Sequence, residues 1–292
     1  MGVISVIMYI LKELCLGQFY FEIAMLLRDT MFLSVMTLNS ETWINLTKEN
    51  INELEQMDRL LLKQIFELPK SASSASIHLE SGAIPVRHII QGKRLVFLHY
   101  ILSRKQDELI SRVYRAQCEQ PLPSDWCEVV KSDLRDLKLD YTDNDIKSMT
   151  KQKWKKIVKG AVKVSAFEHL TIEAAKLSKM KDLKYKELEL QDYLKSTELS
   201  QQQKILLFKI RTRMVPNVGY NFGQKVPCKI CGLAQDEQQH FTKCIFLKLK
   251  CAELLASDLE YSDFFGDNIS KMAELSKMYE KLIRLREIFM QQ

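Results

Sequence analysis

Cys228, Cys231, His240 and Cys244 fall within the segment PCKICGLAQDEQQHFTKC at the spacing Cys-x2-Cys-x8-His-x3-Cys. Three thiolates and one imidazole form the closed tetrahedral set that a structural zinc ion prefers. A Cys-x2-Cys turn aims two sulfurs at one centre, and Gly232 just after it supplies backbone freedom where such a turn needs it. His240 and Cys244 are four residues apart, so on a helix they share a face. Four protein ligands leave no open position, which points to Zn2+ as a structural cofactor rather than a catalytic one. The competing reading is four unrelated residues whose thiols are buried as small hydrophobes. Cys251, seven positions after Cys244, could substitute for a ligand, although a thiol there is more often simply buried.

What surrounds this segment reads as helix. A chain of 292 residues can hold two domains and a sizeable core. It has only nine glycines and six prolines, and its runs are rich in Leu, Lys and Glu. The expectation is a mainly α, multi-helical protein with a small Cys-Cys-His-Cys knuckle near its C-terminus. Thr47 is placed to cap a helix carrying Ile51, Leu54, Met57, Leu61 and Ile65, which must stop before Pro69. A helix is expected over Gln18–Met36, a long one over Val86–Gln117, and a short one capped by Ser124 and running through Leu137. Further helices are expected over Asp143–Lys176, Leu199–Met214 and Ile269–Met290. In the last of these, Ile269, Met272, Leu275, Leu282 and Ile288 suit either a partner or the chain's own core. Lys70–Pro85 reads as a Ser/Ala-rich connector, and Val215–Pro227 as a Gly/Asn/Pro loop leading into the knuckle. Three segments follow: a helical region over 1–140, a lysine-rich helical segment over 141–195, and the knuckle with C-terminal helices over 196–292.

Seven cysteines is an odd number, and those outside the zinc motif are scattered, which fits a reducing compartment rather than a disulfide framework. Val3–Leu11 is apolar but too short to span a bilayer, and no Lys or Arg precedes it as in a signal peptide. Gly2 lacks the Ser or Thr at position 6 that myristoylation favours. The expected location is intracellular, in nucleus or cytoplasm, with no membrane contact.

Charge is concentrated. Lys147–Lys186 holds twelve lysines against three acids, although the whole chain is only +6. Lys151, Lys153, Lys155, Lys156, Lys159 and Lys163 are candidate phosphate contacts. Lys209, Arg211 and Arg213 form a second small basic cluster before the knuckle. RNA or DNA is the expected partner. The bland reading is a solvated helix face. Trp154, Ile157, Ala161 and Val164 recur at helical spacing, so Trp154 is expected in the core rather than as a stacking platform for bases.

Three stretches, GQFYFEIAMLLRDTMFLSVMTLNSETWINLT, LPKSASSASIHLESGAIPVRHIIQGKRLVFLHYIL and ILLFKIRTRMVPNVGYNF, precede the Cys-Cys-His-Cys segment in that order. This ordered set resembles the C-terminal part of a non-LTR retrotransposon reverse transcriptase, from Ile7 to Lys248. In that family these stretches follow the polymerase palm. The resemblance implies a thumb-like first half and a zinc-binding motif at Cys228, Cys231, His240 and Cys244. It also implies an apolar face among Ile23–Val35 or along Val86–Leu102, where a palm, or a protein partner replacing it, would pack.

The chemistry of that enzyme has no carrier here. Reverse transcriptases hold two metal ions on carboxylates that include an adjacent Asp-Asp pair, and the sequence contains no such pair. Tyr141-Thr142-Asp143-Asn144-Asp145 is a near match, but Thr142 and Asp143 read as helix-cap residues. Asp258, Glu260, Asp263 and Asp267 lack a following Glu-x-Lys or Asp-x-Lys and suit solvation and capping better than nuclease chemistry. The histidines at 78, 88, 99 and 169 are dispersed, and no nucleophile context is recognisable. His99 is expected as a satisfied core histidine. The expected function is therefore a zinc-stabilised nucleic-acid-binding fragment with no polymerase site. The alternatives are a helical protein-interaction scaffold with structural zinc, or an element remnant without function.

Overall fold

The computed structural model describes residues 2–13, 19–44, 46–177, 180, 183–215, 220–221, 224–225, 227–228, 230–232, 240–250 and 260–291. The protein is mainly α. Its helices are α1 (Val3–Glu13), α2 (Tyr20–Leu27), α3 (Leu33–Met36), α4 (Lys48–Ile65), α5 (Ser74–Ser81), α6 (Val86–Leu102) and α7 (Leu109–Glu119). There follow α8 (Trp126–Asp136), α9 (Asp143–Ser148), α10 (Lys151–Ala175), α11 (Asp192–Lys195), α12 (Gln201–Arg211), α13 (His240–Lys243), α14 (Ile245–Lys250) and α15 (Ile269–Gln291). Two short strands, β1 (Tyr220–Asn221) and β2 (Gln224–Lys225), pair antiparallel. Among the described residues no helix is long and apolar enough to cross a membrane.

Local chemistry sets the helix starts. The Thr47 side chain accepts from Asn50 N while the Asn50 side chain accepts from Thr47 N, a reciprocal cap that starts α4. Thr142 and Asp145 do the same for α9, so the Tyr141–Asp145 stretch is a helix cap. Thr150 caps α10 by accepting from Lys153 N. Along α10 the residues Trp154, Val158, Val162, Ala166, Leu170 and Ala174 form one buried row at a spacing of four. Trp154 is fully buried and donates Nε1–H to Leu95 O at 2.8 Å. His99 is satisfied as expected, its Nε2 lying 2.9 Å from Met149 O.

Three apolar clusters hold these helices. The largest gathers Ile7, Phe21, Leu61, Phe66 and Ile77 from the first third of the chain with Leu194, Phe208, Phe264, Leu275 and Leu282 from the last third. Phe21 stacks on Phe66 with ring centres 5.0 Å apart, and Phe66 meets Phe208 at 4.6 Å. A second cluster joins α6, α7 and α8 to the first half of α10. A third lies between α5 and the second half of α10.

Buried charge pairs cross-link the clusters. Arg28 grips Asp58 with two hydrogen bonds of 2.7 and 2.6 Å, and Arg94 grips Asp133 at 2.6 and 3.0 Å. Glu80 on α5 is wholly buried and receives Arg211 Nε at 3.0 Å, Tyr185 OH at 2.7 Å and Tyr193 OH at 2.8 Å. Burial, reinforced by the Glu80 charge, pushes both tyrosine hydroxyls well above their ordinary pKa, so they remain donors. Arg211 Nη1 also donates to Phe264 O at 2.8 Å.

Several expectations are corrected. The Lys70–Pro85 connector contains a buried helix, α5, because Ser73 caps it by accepting from Ser76 N and Gly82 ends it in the left-handed region at φ 69°. A Cβ on Gly82 would also collide with the Glu189–Leu190 backbone. The expected 86–117 helix breaks after Leu102. The polar run from Ser103 to Glu108 has no apolar row to bury, and α7 folds back so that Tyr114 joins the second cluster. The helix expected from Ser124 begins after Asp125, whose carboxylate accepts from Leu122 N rather than from the first turn of the helix. A π turn at Arg28–Phe32 interrupts the 18–36 helix where the Arg28 side chain is directed into the core. The expected apolar face along Val86–Leu102 is covered, since Val86, Ile90, Leu95, Leu98 and Ile101 are all buried. In the other stretch Leu26 and Val35 remain exposed. On α15, Met272, Leu275 and Leu282 pack on the protein's own core, and Ile288 is exposed.

Removing Arg211 would leave Glu80 buried without its cation, which costs about 3–5 kcal/mol. Arg211→Ala is expected to shift a urea unfolding midpoint strongly. Lys155→Ala, on an exposed position, should stay within about 0.5 kcal/mol of the parent.

Candidate metal centre

The Cys-x2-Cys half of the motif is a tight turn. Gly232 N donates to Cys228 O at 2.7 Å, and Gly232 takes φ 66°, the left-handed conformation that its lack of a side chain permits. The His-x3-Cys half is one turn of helix. His240 opens α13, and Cys244 N donates to His240 O at 2.7 Å. These two local features bring Cys228 Sγ, Cys231 Sγ, a His240 ring nitrogen and Cys244 Sγ all within 4.8 Å of one another. Cys231 Sγ lies 3.2 Å from His240 Nε2.

The arrangement can hold one metal ion. Ligands bound tetrahedrally at about 2.0–2.3 Å from a common centre stand roughly 3.5–3.8 Å apart, a spacing that the four atoms approach. Cys228 and Cys244 are buried at 3% and 0% exposure, while Cys231 and His240 are half-buried. The two buried sulfurs belong to the same apolar cluster as Phe264, Met272 and Leu275, and Ile230 and Cys231 pack against it. The centre is therefore docked on α15 and tied to the main core. With four protein ligands a bound ion would have no open position for substrate.

The remaining cysteines take no part among the described residues. Cys118 and Cys127 are free thiols, and Cys127 Sγ donates to Gln117 O at 3.3 Å. Cys15 and Cys251 lie outside the described residues.

The basic candidates divide into two groups. Lys151, Lys153, Lys155, Lys156 and Lys159 are all exposed on the first half of α10. Lys151, Lys155 and Lys159 follow one another at a spacing of four and run alongside the buried Trp154–Val158–Val162 row. Lys163 continues the line, but its ammonium is held by Glu187 at 2.9 Å and Glu189 at 2.7 Å, which offset its charge.

The second basic cluster is not a surface patch. Arg211 is 5% exposed and committed to Glu80 and Phe264 O, so its expected role in contacting nucleic acid is withdrawn. Lys209 is half-buried and its ammonium pKa is lowered by burial, and Arg213 is half-buried at φ 52°. The reason is that α12 must bury Ile205, Leu207, Phe208 and Ile210 as well, which leaves little of its surface for solvent. Nothing local in the sequence announces the Arg211–Glu80 pair, whose members are 131 residues apart.

Comparison with protein-family models, curated proteins and solved structures finds no match to this chain.

Purified protein is expected to carry one equivalent of a transition metal, and Cys228→Ser/Cys231→Ser to lose it. A thiolate site of this kind contributes about 10–16 kcal/mol of apparent binding free energy in small metal domains. A strong chelator should therefore lower the thermal midpoint, which Cys127→Ser with the metal retained should leave much less changed. Elemental analysis and a thermal melt before and after chelation read both.

Proposed function

We propose that this protein is a zinc-stabilised nucleic-acid-binding module of the kind that the C-terminal part of a non-LTR retrotransposon reverse transcriptase provides. The observation that carries the reading is the exposed lysine row on α10, with Lys151, Lys155 and Lys159 in line and Lys153 and Lys156 beside it. Such a row offers point charges to a phosphate backbone and gives weakly specific, salt-sensitive affinity. The base-reading part of recognition finds less support, because Trp154 is spent on the core. In this reading the Cys-Cys-His-Cys centre takes Zn2+, since thiolate-rich tetrahedral sets select it among the common divalent ions. The ion holds a local fold against α15 and does no chemistry. The polymerase step has no carboxylate pair to carry it, so binding is the activity proposed.

A second reading rests on α14. Ile245, Phe246 and Leu249 are exposed at 57%, 50% and 66% beside the metal centre. Three apolar side chains on one short helix suit a protein partner, and in that reading the metal centre presents a docking helix rather than a nucleic-acid contact.

Salt dependence separates the two. For a single strand, the slope of log affinity on log salt falls by about 0.7 for each phosphate the protein no longer neutralises. Lys151→Ala/Lys155→Ala/Lys159→Ala is therefore expected to lower that slope for single-stranded RNA by about 2, read by fluorescence anisotropy between about 50 and about 200 mM salt. An unchanged slope, or no binding even at low salt, would leave the α14 reading standing. Single-stranded and duplex DNA in the same series tell RNA preference from general phosphate binding.

A further inference from the structure

Away from the thiolate centre, three histidines gather where α4, α5, α6 and α10 meet. His78 on α5 is buried and satisfied, its Nδ1 lying 2.9 Å from Ala83 O. His88 on α6 and His169 on α10 are not. Each has an Nδ1 shut away from solvent with no hydrogen-bond partner, and the two ring centres stand 5.7 Å apart with planes inclined at 56°. His88 is only 4% exposed, so its unpartnered nitrogen sits inside the fold. A buried polar atom left unmatched is costly, and two in neighbouring rings call for a partner.

The surrounding groups suit a cation. His169 Nε2 lies 3.6 Å from Glu173 Oε1, one helical turn further along α10. A carboxylate at the far nitrogen is the usual way a metal-binding imidazole is oriented, because it keeps the proton there and leaves a lone pair on the near nitrogen. Two imidazoles sharing one ion at metal–nitrogen distances of about 2.0–2.1 Å place their ring centres roughly 5–6 Å apart. Glu55 of α4 faces the same region and pairs with Arg87 at 2.7 and 3.1 Å. With Glu55 and Glu173 against Arg87, the local balance is negative. The His169 side chain is 38% exposed, which provides a way in.

We propose that His88 and His169 form a two-imidazole clasp for one borderline transition-metal ion, of the Ni2+, Cu2+ or Zn2+ class, bridging α6 to α10. Water completes the coordination, and Glu173 is a positioning residue for the His169 ring. The clasp is separate from the thiolate centre in both ligand chemistry and place. It joins the helix that carries the lysine row to the helix it packs on.

Titration of the zinc-saturated protein with Ni2+ by calorimetry, with metal counting after dialysis, tests this. The expected result is one further equivalent of Ni2+ without the sulfur-to-nickel absorption that thiolate ligation would show. His169→Gln should weaken that binding at least tenfold, and Glu173→Gln by about 10- to 100-fold. Ni2+ should raise the thermal midpoint of the parent and leave His169→Gln unmoved. No second equivalent in the parent, as when the two nitrogens merely hold a water, overturns the proposal. So does a second equivalent that His169→Gln retains. His88 is more deeply buried, so if His88→Gln fails to fold, the His169→Gln comparison alone decides.

Discussion

Glu80 is a carboxylate sealed from water in a short helix that packs between two apolar clusters. Isolated there it would be untenable, since burying an unpaired charge is far more costly than folding a domain can offset. Its partners come from elsewhere in the chain. Arg211 reaches it from α12, Tyr185 and Tyr193 from the segment leading into α11 and from α11 itself, and the Arg211 guanidinium extends to Phe264 O just before α15. One anion thus specifies how α5, α11, α12 and the C-terminal turn assemble. The same logic recurs at Arg28–Asp58 and Arg94–Asp133, each bidentate and each joining elements distant in sequence. Such pairs are poor sources of net stability, but removing one member is severe. They favour a single arrangement over others in which the apolar faces would be equally satisfied.

That arrangement sets what the surface presents. α10 lays a continuous apolar row on α5 and α6, which commits Trp154 to the interior and turns the lysines beside it outward. Where the row reaches the 183–190 segment, Glu187 and Glu189 take up Lys163, so the line of solvent-facing lysines along α10 stops at Lys159. Towards the C-terminus, the Cys-Cys-His-Cys set supplies a second kind of constraint, a point where four ligand atoms converge beside α15.

Much of this was legible in the sequence. The ligand set was readable because a metal site depends on a few residue types at short local spacings, and Gly232 marked its turn. The starts of α4 and α9 were readable because Thr47 and Thr142 act within three residues of themselves, whereas the start of α10 at Thr150 was not singled out within the expected 143–176 helical stretch. What was hidden depended on distance. The serine- and alanine-rich stretch around α5 carries no periodic signal and folds as a helix because it is buried between α4, α6 and α10. Arg211 looked like a surface cation because its anion is 131 residues away. The break after Leu102 falls at the polar run Ser103–Glu108, which contains no Gly or Pro and lets α7 return to the core. The β1–β2 pair, in a loop rich in Gly, Asn and Pro, was too short to leave a pattern.

Nucleic acid bound as proposed sits on the α10 lysine row. Lysine footprinting reads this directly, by acetylating the protein with and without single-stranded RNA at low salt and quantifying each site by mass spectrometry. Lys151, Lys155 and Lys159 should lose reactivity when RNA is bound, while the exposed Lys48 at the start of α4 and Lys105 between α6 and α7 stay reactive. Equal labelling of all five lysines with and without RNA would contradict it.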